Sequence, residues 1–388
     1  MRPSPAPAGA RRVAAGIHTT QSATTSSLES SDPGPDDPAT GGGGQAVEAF
    51  LRCYRALHPP PLVGVIGKYF IPAQPPHPSA AAARAFAGFD FSCSSFLPST
   101  AGRRWSRLDF FEGRALLAGG PVKEGKSGIR IFAEHEGSDL QYSEFLVRDL
   151  AVCDPVHRRY VLLPAVPADL TALIHKPDFL DMKTFLAPGE DGGDPLSFRV
   201  MCMAQHRNKL VLLIFSSGGQ WRALTFDRSN AQALASLLQC KPCLSDRQYV
   251  HGHFYWPLRF PNKLLALDVH VMEFSAIDLP PEEQNSRFVI VEAAEGMLGM
   301  LSICDRDDSE DDAYSLTYSV LRNNQWQSEK VIPLPIMRRY LMEEQLNIGY
   351  FSVDIKTLLV ELFAGLSEAI FPGRLYAGFP PSLCAPTL

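Results

Sequence analysis

The sequence predicts a mainly β protein, a β-propeller-like domain preceded by a disordered tail and one short helix. Three observations carry this. Residues 1–45 hold too little apolar material to fold. One helical stripe runs into a triple proline at residues 59–61. Beyond residue 100, short apolar or alternating runs recur between turn residues.

The tail contains 13 Gly or Pro, 11 Ser or Thr and no Phe, Tyr or Trp. Burial of Val13, Ile17 and Leu28 cannot offset the entropy of ordering such a segment. Its first 28 residues lack Asp and Glu but carry Arg2, Arg11 and Arg12, a composition shared with organelle transit peptides. Pro3, Pro5, Pro7, Gly9 and Gly16 interrupt the amphipathic helix such a peptide needs, so a solvated tail is the favoured reading.

Over residues 46–60, Val47, Phe50, Leu51, Tyr54 and Leu57 fall on one helical face. The helix must stop by His58, because Pro59, Pro60 and Pro61 cannot continue it. A helix this short is marginal in water, so its stripe needs a partner surface. It either docks on the domain behind it or belongs to a helical binding element.

Residues 61–388 form the predicted β domain. Strands are expected at Gly113–Leu117, Leu150–Cys153, Tyr160–Leu163, Phe198–Ala204 and Leu210–Phe215, the last two around a polar turn at His206–Lys209. They continue at Trp221–Phe226, His253–Trp256, Lys263–Asp268, Val271–Ile277, Phe288–Glu292, Leu298–Ile303, Tyr314–Leu321 and Tyr350–Asp354. Helical patterns are confined to Ala80–Phe86, Ala231–Leu238 and Ile336–Leu346. Strands do not alternate with helices, which argues against a doubly wound parallel sheet. Cycles of strand, hairpin strand and Pro-bounded strand begin near residues 113, 198, 250, 288 and 350. Such repetition favours a propeller over a sandwich.

Composition narrows the function. A net charge of -6 argues against non-specific nucleic-acid binding. The longest aliphatic or aromatic run, Leu210–Phe215, is about a third of a membrane span. Eight scattered cysteines read as reduced thiols of a cytoplasmic or nuclear protein.

Gly120–Ser127 matches the P-loop pattern, with Lys126 placed to reach terminal phosphates and Ser127 to hold magnesium. A P-loop must open a helix, whereas Gly128–Phe132 reads as a strand; Pro121 also removes an N–H and Glu124 adds negative charge. A nucleotide-binding enzyme is therefore the alternative reading and a polar hairpin loop the favoured one. Cys240 and Cys243 form a lone C-x-x-C; His251 and His253 could join Cys243, but four zinc ligands do not assemble. Asp305–Asp312 holds six acids, but lacks the Gly and the terminal Glu of an EF-hand loop. No catalytic residue, metal site or cofactor is expected.

Several stretches resemble plant F-box proteins of the grass type, whose C-terminal half is an F-box-associated, kelch-like propeller domain. They are Phe50–Gly64, Asp149–Pro155 with Arg158–Tyr160, His253–Trp256, Lys263–Asp268, Glu295–Met300, Gln325–Lys330 and Gly378–Leu383. The resemblance implies that the β domain recruits a target protein to a cullin-RING ubiquitin ligase. It also implies that Val47, Phe50, Leu51, Tyr54 and Leu57 are a remnant of the last F-box helix, which contacts a Skp-type adaptor. An F-box needs about 40 residues of helix beginning at a Leu-Pro pair. Here a Ser/Gly/Pro tail precedes Val47, so adaptor binding is expected to be defective. The loops at Gly119–Gly128 and Asp305–Asp312 are candidate target contacts by position.

Overall fold

The computed structural model describes residues 50–51, 53–54, 57–58, 60–67, 69–98, 103–121, 149–174, 178–190, 197–227, 247–258, 262–281, 287–304, 313–337, 350–365, 374–379 and 383. The fold is mainly β, a propeller of five blades. The chain divides into two compact units. The smaller joins the chain up to Ala87 to Ile336–Pro380, and the larger comprises Gly88–Pro335 with Pro381–Leu388.

In chain order the strands begin with β1 (Leu62–Ile66), β2 (Phe70–Pro72), β3 (Arg103–Phe111), β4 (Arg114–Pro121), β5 (Asp149–Asp154), β6 (Arg159–Leu162) and β7 (Phe179–Pro188). They continue with β8 (Phe198–His206), β9 (Lys209–Ser216), β10 (Trp221–Asp227), β11 (Gln248–Val250), β12 (His253–Leu258), β13 (Lys263–Asp268) and β14 (Glu273–Asp278). The last are β15 (Arg287–Glu292), β16 (Leu298–Cys304), β17 (Ala313–Arg322), β18 (Gln325–Met337), β19 (Tyr350–Asp354), β20 (Leu359–Ala364) and β21 (Arg374–Ala377). Two short helices, α1 (Ala80–Ala83) and α2 (Ala168–Ile174), accompany them.

The larger unit holds four antiparallel blades: β3-β4-β5-β6, β7-β8-β9-β10, β11-β12-β13-β14 and β15-β16-β17-β18. Successive blades pack face to face. Leu116, Val152, Val200, Leu213 and Trp221 fill the space between the first two blades. Phe185, Met201, Leu212, Phe254, Trp256 and Leu265 fill the next, and Tyr255, Leu264, Ile290 and Met300 the third. Middle strands are therefore covered on both faces. Every residue of β8 is buried, which is why its sequence does not alternate. The outer strand β10 alternates, with Arg222 and Thr225 less buried than Trp221.

The first strand of each blade lies on the inner side, with β3 beside β7 and β11 beside β15. Side chains tie these strands together. Asp109 Oδ2 accepts from the Leu186 N–H at 2.9 Å and from Arg247 Nη2 at 2.7 Å. Gln248 donates to the Phe288 carbonyl and accepts from the Ile290 N–H.

The smaller unit brings the two distant chain segments together. β1 pairs antiparallel with both β2 and β21, and β19 pairs with β20. Gln74 joins the two sheets: its N–H donates to the Phe363 carbonyl at 2.8 Å, and its Oε1 accepts from the Gly365 N–H at 3.2 Å. His77 donates from Nε2 to Ser352 Oγ at 3.0 Å, because its Nδ1 accepts from the Ser79 N–H.

The structure corrects several expected elements. The cycles placed near residues 113 and 198 begin at the second strands of their blades; the inner strands β3 and β7 precede them. Pro333 and Pro335 lie inside β18, an outer strand where a missing N–H costs no ladder bond. That strand also includes Ile336 and Met337, expected to start a helix. Ala231–Leu238, the tail and Val47 lie outside the described residues.

Candidate functional site

Antiparallel blades place the first and third turns of every blade at one end. Three of these turns have left-handed backbone at both central residues, matching the twist of a two-residue hairpin. Glu112 and Gly113 join β3 to β4 with φ of 47° and 79°, and His251 and Gly252 join β11 to β12 with φ of 49° and 74°. A Cβ at Gly252 would also press on the His270 ring, at 3.1 Å from Nε2.

Polar and titratable groups cluster at this end of the larger unit. Arg199, buried at the start of β8, donates from Nε to the Pro188 carbonyl at 2.6 Å and from Nη1 to the Val269 carbonyl at 2.8 Å. It thereby fixes the β13–β14 turn of the next blade. His253 sits 3.4 Å from Asp268 Oδ2, and His251 sits 3.9 Å from Glu292 Oε1. The Asp268 carboxyl lies below its ordinary range: burial opposes the shift, but the His270 and Val271 N–H groups, with His253 and His270, outweigh it. Desolvation by the surrounding protein pushes the Glu112 carboxyl up, against the attraction of Arg114. Burial, with Glu112 adding to it, pushes the Tyr249 hydroxyl up to about 12. The third turn of the first blade adds His157 and Arg158, ordered by Asp154, whose Oδ1 accepts from the Val156 and His157 N–H groups. Glu190 bonds Arg222 and Ser216 at the second blade. Asn323 and Asn324 form the third turn of the fourth, both with left-handed φ.

This end was only partly legible from sequence. His251 and His253 stood out, but as companions of Cys243, which lies outside the described residues with Cys240. They do not share a strand face: His251 is in the turn and His253 opens β12. The strand ends that flank the two loops singled out as target contacts, Pro121 with Asp149 and Cys304 with Ala313, lie at the opposite end of their blades. Of the first loop, Gly119, Gly120 and Pro121 are paired into β4 with Trp105, Arg104 and Arg103. Its remainder, including Lys126 and Ser127, lies outside the described residues, as does Asp305–Asp312. Among the described residues, no group of three or more His, Cys, Asp or Glu could hold a metal ion. No helix among them is long and apolar enough to cross a membrane.

In the smaller unit, Phe50, Leu51, Tyr54 and Leu57 are helical, as expected, and the His58 N–H donates to the Tyr54 carbonyl at 2.9 Å. Phe50 and Tyr54 lie side by side, with ring centroids 6.2 Å apart. Tyr54 turns toward Phe379, with ring centroids 6.1 Å apart. Phe50 and Leu57 remain 64% and 69% exposed.

No family model matches the sequence, and no curated protein does. Among solved structures, the chain is similar to the crystal structure of the intramolecular trans-sialidase from Ruminococcus gnavus in complex with oseltamivir carboxylate, at 8% identity and a TM-score of 0.30. The alignment covers 53% of this chain and 43% of that one, less than half of that protein's length.

Proposed function

We propose that this chain is a non-enzymatic protein-interaction module that recruits target proteins for a cullin-RING type ubiquitin ligase, with impaired adaptor binding. The observation that carries this reading is the end of the larger unit described above. There, short turns project Glu112, His157, Arg158, His251, His270 and Asn323 from blades that the Arg199 and Asp109 contacts hold in place. Propellers present partner-binding loops in this manner. The link to ubiquitin ligation draws its support from the sequence resemblance. Impaired adaptor binding draws support from the Ser/Gly/Pro composition that precedes Val47. The role places the protein in the cytoplasm or nucleus.

Two measurements test this. The purified chain, mixed with a Skp-type adaptor and a cullin N-terminal domain, is expected to give no stoichiometric complex in light scattering; a complex would overturn the impairment. Proximity labelling in cells is expected to mark a protein set that His251→Ala and His270→Ala deplete together. An unchanged set would remove the turn end as the docking surface.

A further inference from the structure

Outer strands of a sheet expose unpaired N–H and C=O groups, and proteins guard them with charge or proline. Three of the four outer strands in the larger unit are guarded. β10 carries Arg222 and Asp227, β14 is bracketed by Glu273 and Asp278, and β18 carries Glu329, Lys330, Pro333 and Pro335. β6 differs. Its last three residues are Tyr160, Val161 and Leu162, which are 40%, 40% and 49% exposed.

The hydrogen-bond phase of β6 follows from its register. Ala151 faces Leu162, Val152 faces Val161, and Cys153 faces Tyr160. The Leu163 N–H donates to the Leu150 carbonyl at 2.8 Å, which makes that pair a hydrogen-bonded one. Bonded and non-bonded pairs alternate in an antiparallel ladder. Val161 therefore bonds to β5, whereas the backbone groups of Tyr160 and Leu162 point away from the blade. Among the described residues, no strand continues the sheet beyond β6.

The charge beside this edge selects its occupant. β6 begins after His157 and Arg158 and opens with Arg159. Arg158 donates to the neutral Ser95 hydroxyl at 3.2 Å and forms no ion pair among the described residues. Asp154 is engaged by His157, with Nδ1 2.7 Å from Oδ2, and by the turn N–H groups. An added strand running antiparallel to β6, as every neighbour in the blade does, ends its C-terminal side at Arg158. From this we infer that β6 binds an extended segment of a partner protein by strand addition, with alternate apolar side chains followed by acidic residues. The inference rests on the protein-interaction reading and adds a second contact surface to it. Main-chain bonds from Tyr160 and Leu162 give the affinity, and the apolar and acidic side chains give the selectivity.

The test uses the full chain and a fluorescein-labelled peptide of about ten residues, alternating valine and threonine and closed by two glutamates. Fluorescence anisotropy is expected to show saturable binding. Replacing the glutamates by lysines, or N-methylating alternate amides of the peptide, is expected to weaken it about tenfold or more. Leu162→Pro removes the outward N–H without breaking a bond to β5, and is expected to abolish binding while thermal unfolding shifts little. Arg158→Glu is expected to reverse the charge preference and keeps the inference testable if the proline variant fails to fold. Equal binding by the N-methylated peptide, or by the Leu162→Pro protein, would overturn strand addition. A dimer in light scattering that Leu162→Pro dissociates would identify a second copy as the occupant and overturn the foreign-segment assignment. The His251→Ala and His270→Ala variants leave this readout unchanged, so its failure is separable from failure of the turn-end reading.

Discussion

Arg247 Nη2 lies 2.7 Å from Asp109 Oδ2, joining residues 138 positions apart inside the larger unit. Both side chains are buried, at 8% and 2% exposure. The guanidinium is also sandwiched by aromatic rings, 4.4 Å from the Phe185 centroid and 4.9 Å from that of Phe254. The pair touches three blades, because the same carboxylate oxygen accepts from the Leu186 N–H.

Removing one partner strands the other in a dry interior. Arg247→Met is expected to cost roughly 3–5 kcal/mol. Adding Asp109→Asn keeps an acceptor for the Leu186 N–H and removes the buried charge, so the double variant is expected to recover at least half of that loss. Urea unfolding followed by tryptophan fluorescence measures both, since all four tryptophans lie in the larger unit. A double variant no better than the single would refute the argument.

Glu112 is exposed at the turn, yet desolvation by the protein around it raises its carboxyl above the ordinary 4.5. The folded state then holds the proton more tightly than the unfolded one. Stability from this group is intact below about pH 4.5 and falls as pH rises through the folded value. Because solvent screens this exposed group, Glu112→Gln is expected to raise the Tm by about 1 °C at most at pH 7 and to change nothing near pH 4. Calorimetry at the two pH values decides it.

His77 has the opposite sense. Burial lowers its pKa below 6.5, with Glu361 partly opposing. The unfolded chain takes up the proton first, so this contribution is complete above about pH 6.5 and is lost as pH falls through the folded value. Protonation also forces Nδ1 to give up the Ser79 N–H. Hydrogen exchange in β19 and β20, corrected for intrinsic rates, is expected to rise several-fold from pH 7.5 to 5.5. His77→Gln is expected to flatten that dependence; the same slope in the variant would assign it elsewhere.

The thiols should react in a set order. Cys53 is exposed, whereas Cys93, Cys153 and Cys202 are buried. A hydrogen bond with Cys93, then burial, pushes the Cys153 thiol up, and burial pushes Cys202 up to about 11. Iodoacetamide at pH 8 is expected to label Cys53 within minutes and the other three only in urea, as read by peptide mass spectrometry. Labelling of Cys153 in the folded protein would contradict its burial.

The blades were readable wherever a strand is covered on both faces. Leu210–Phe215 and Leu264–Leu267 announce themselves because nothing along them meets water. Inner strands were harder. β3 reads as Arg, Arg, Trp, Ser, Arg, Leu, Asp before Phe110, and Asp109, which bonds across blades, is invisible as a buried group until Arg247 is placed beside it. α2 was missed because its apolar residues, Leu170, Leu173 and Ile174, are too few to set a period. At the turn end, the histidines were visible but their company was not. His270 reaches Gly252 only through the pairing of β12 with β13, which no local pattern encodes.

The pairing of β1 with β21 fixes an order of assembly on the ribosome. The larger unit's four blades lie on a continuous stretch that has been synthesised by Met337. The smaller unit must hold Leu62–Ile66 unpaired on one side until Arg374–Ala377 emerges, so chaperone engagement during synthesis should concentrate on that waiting strand.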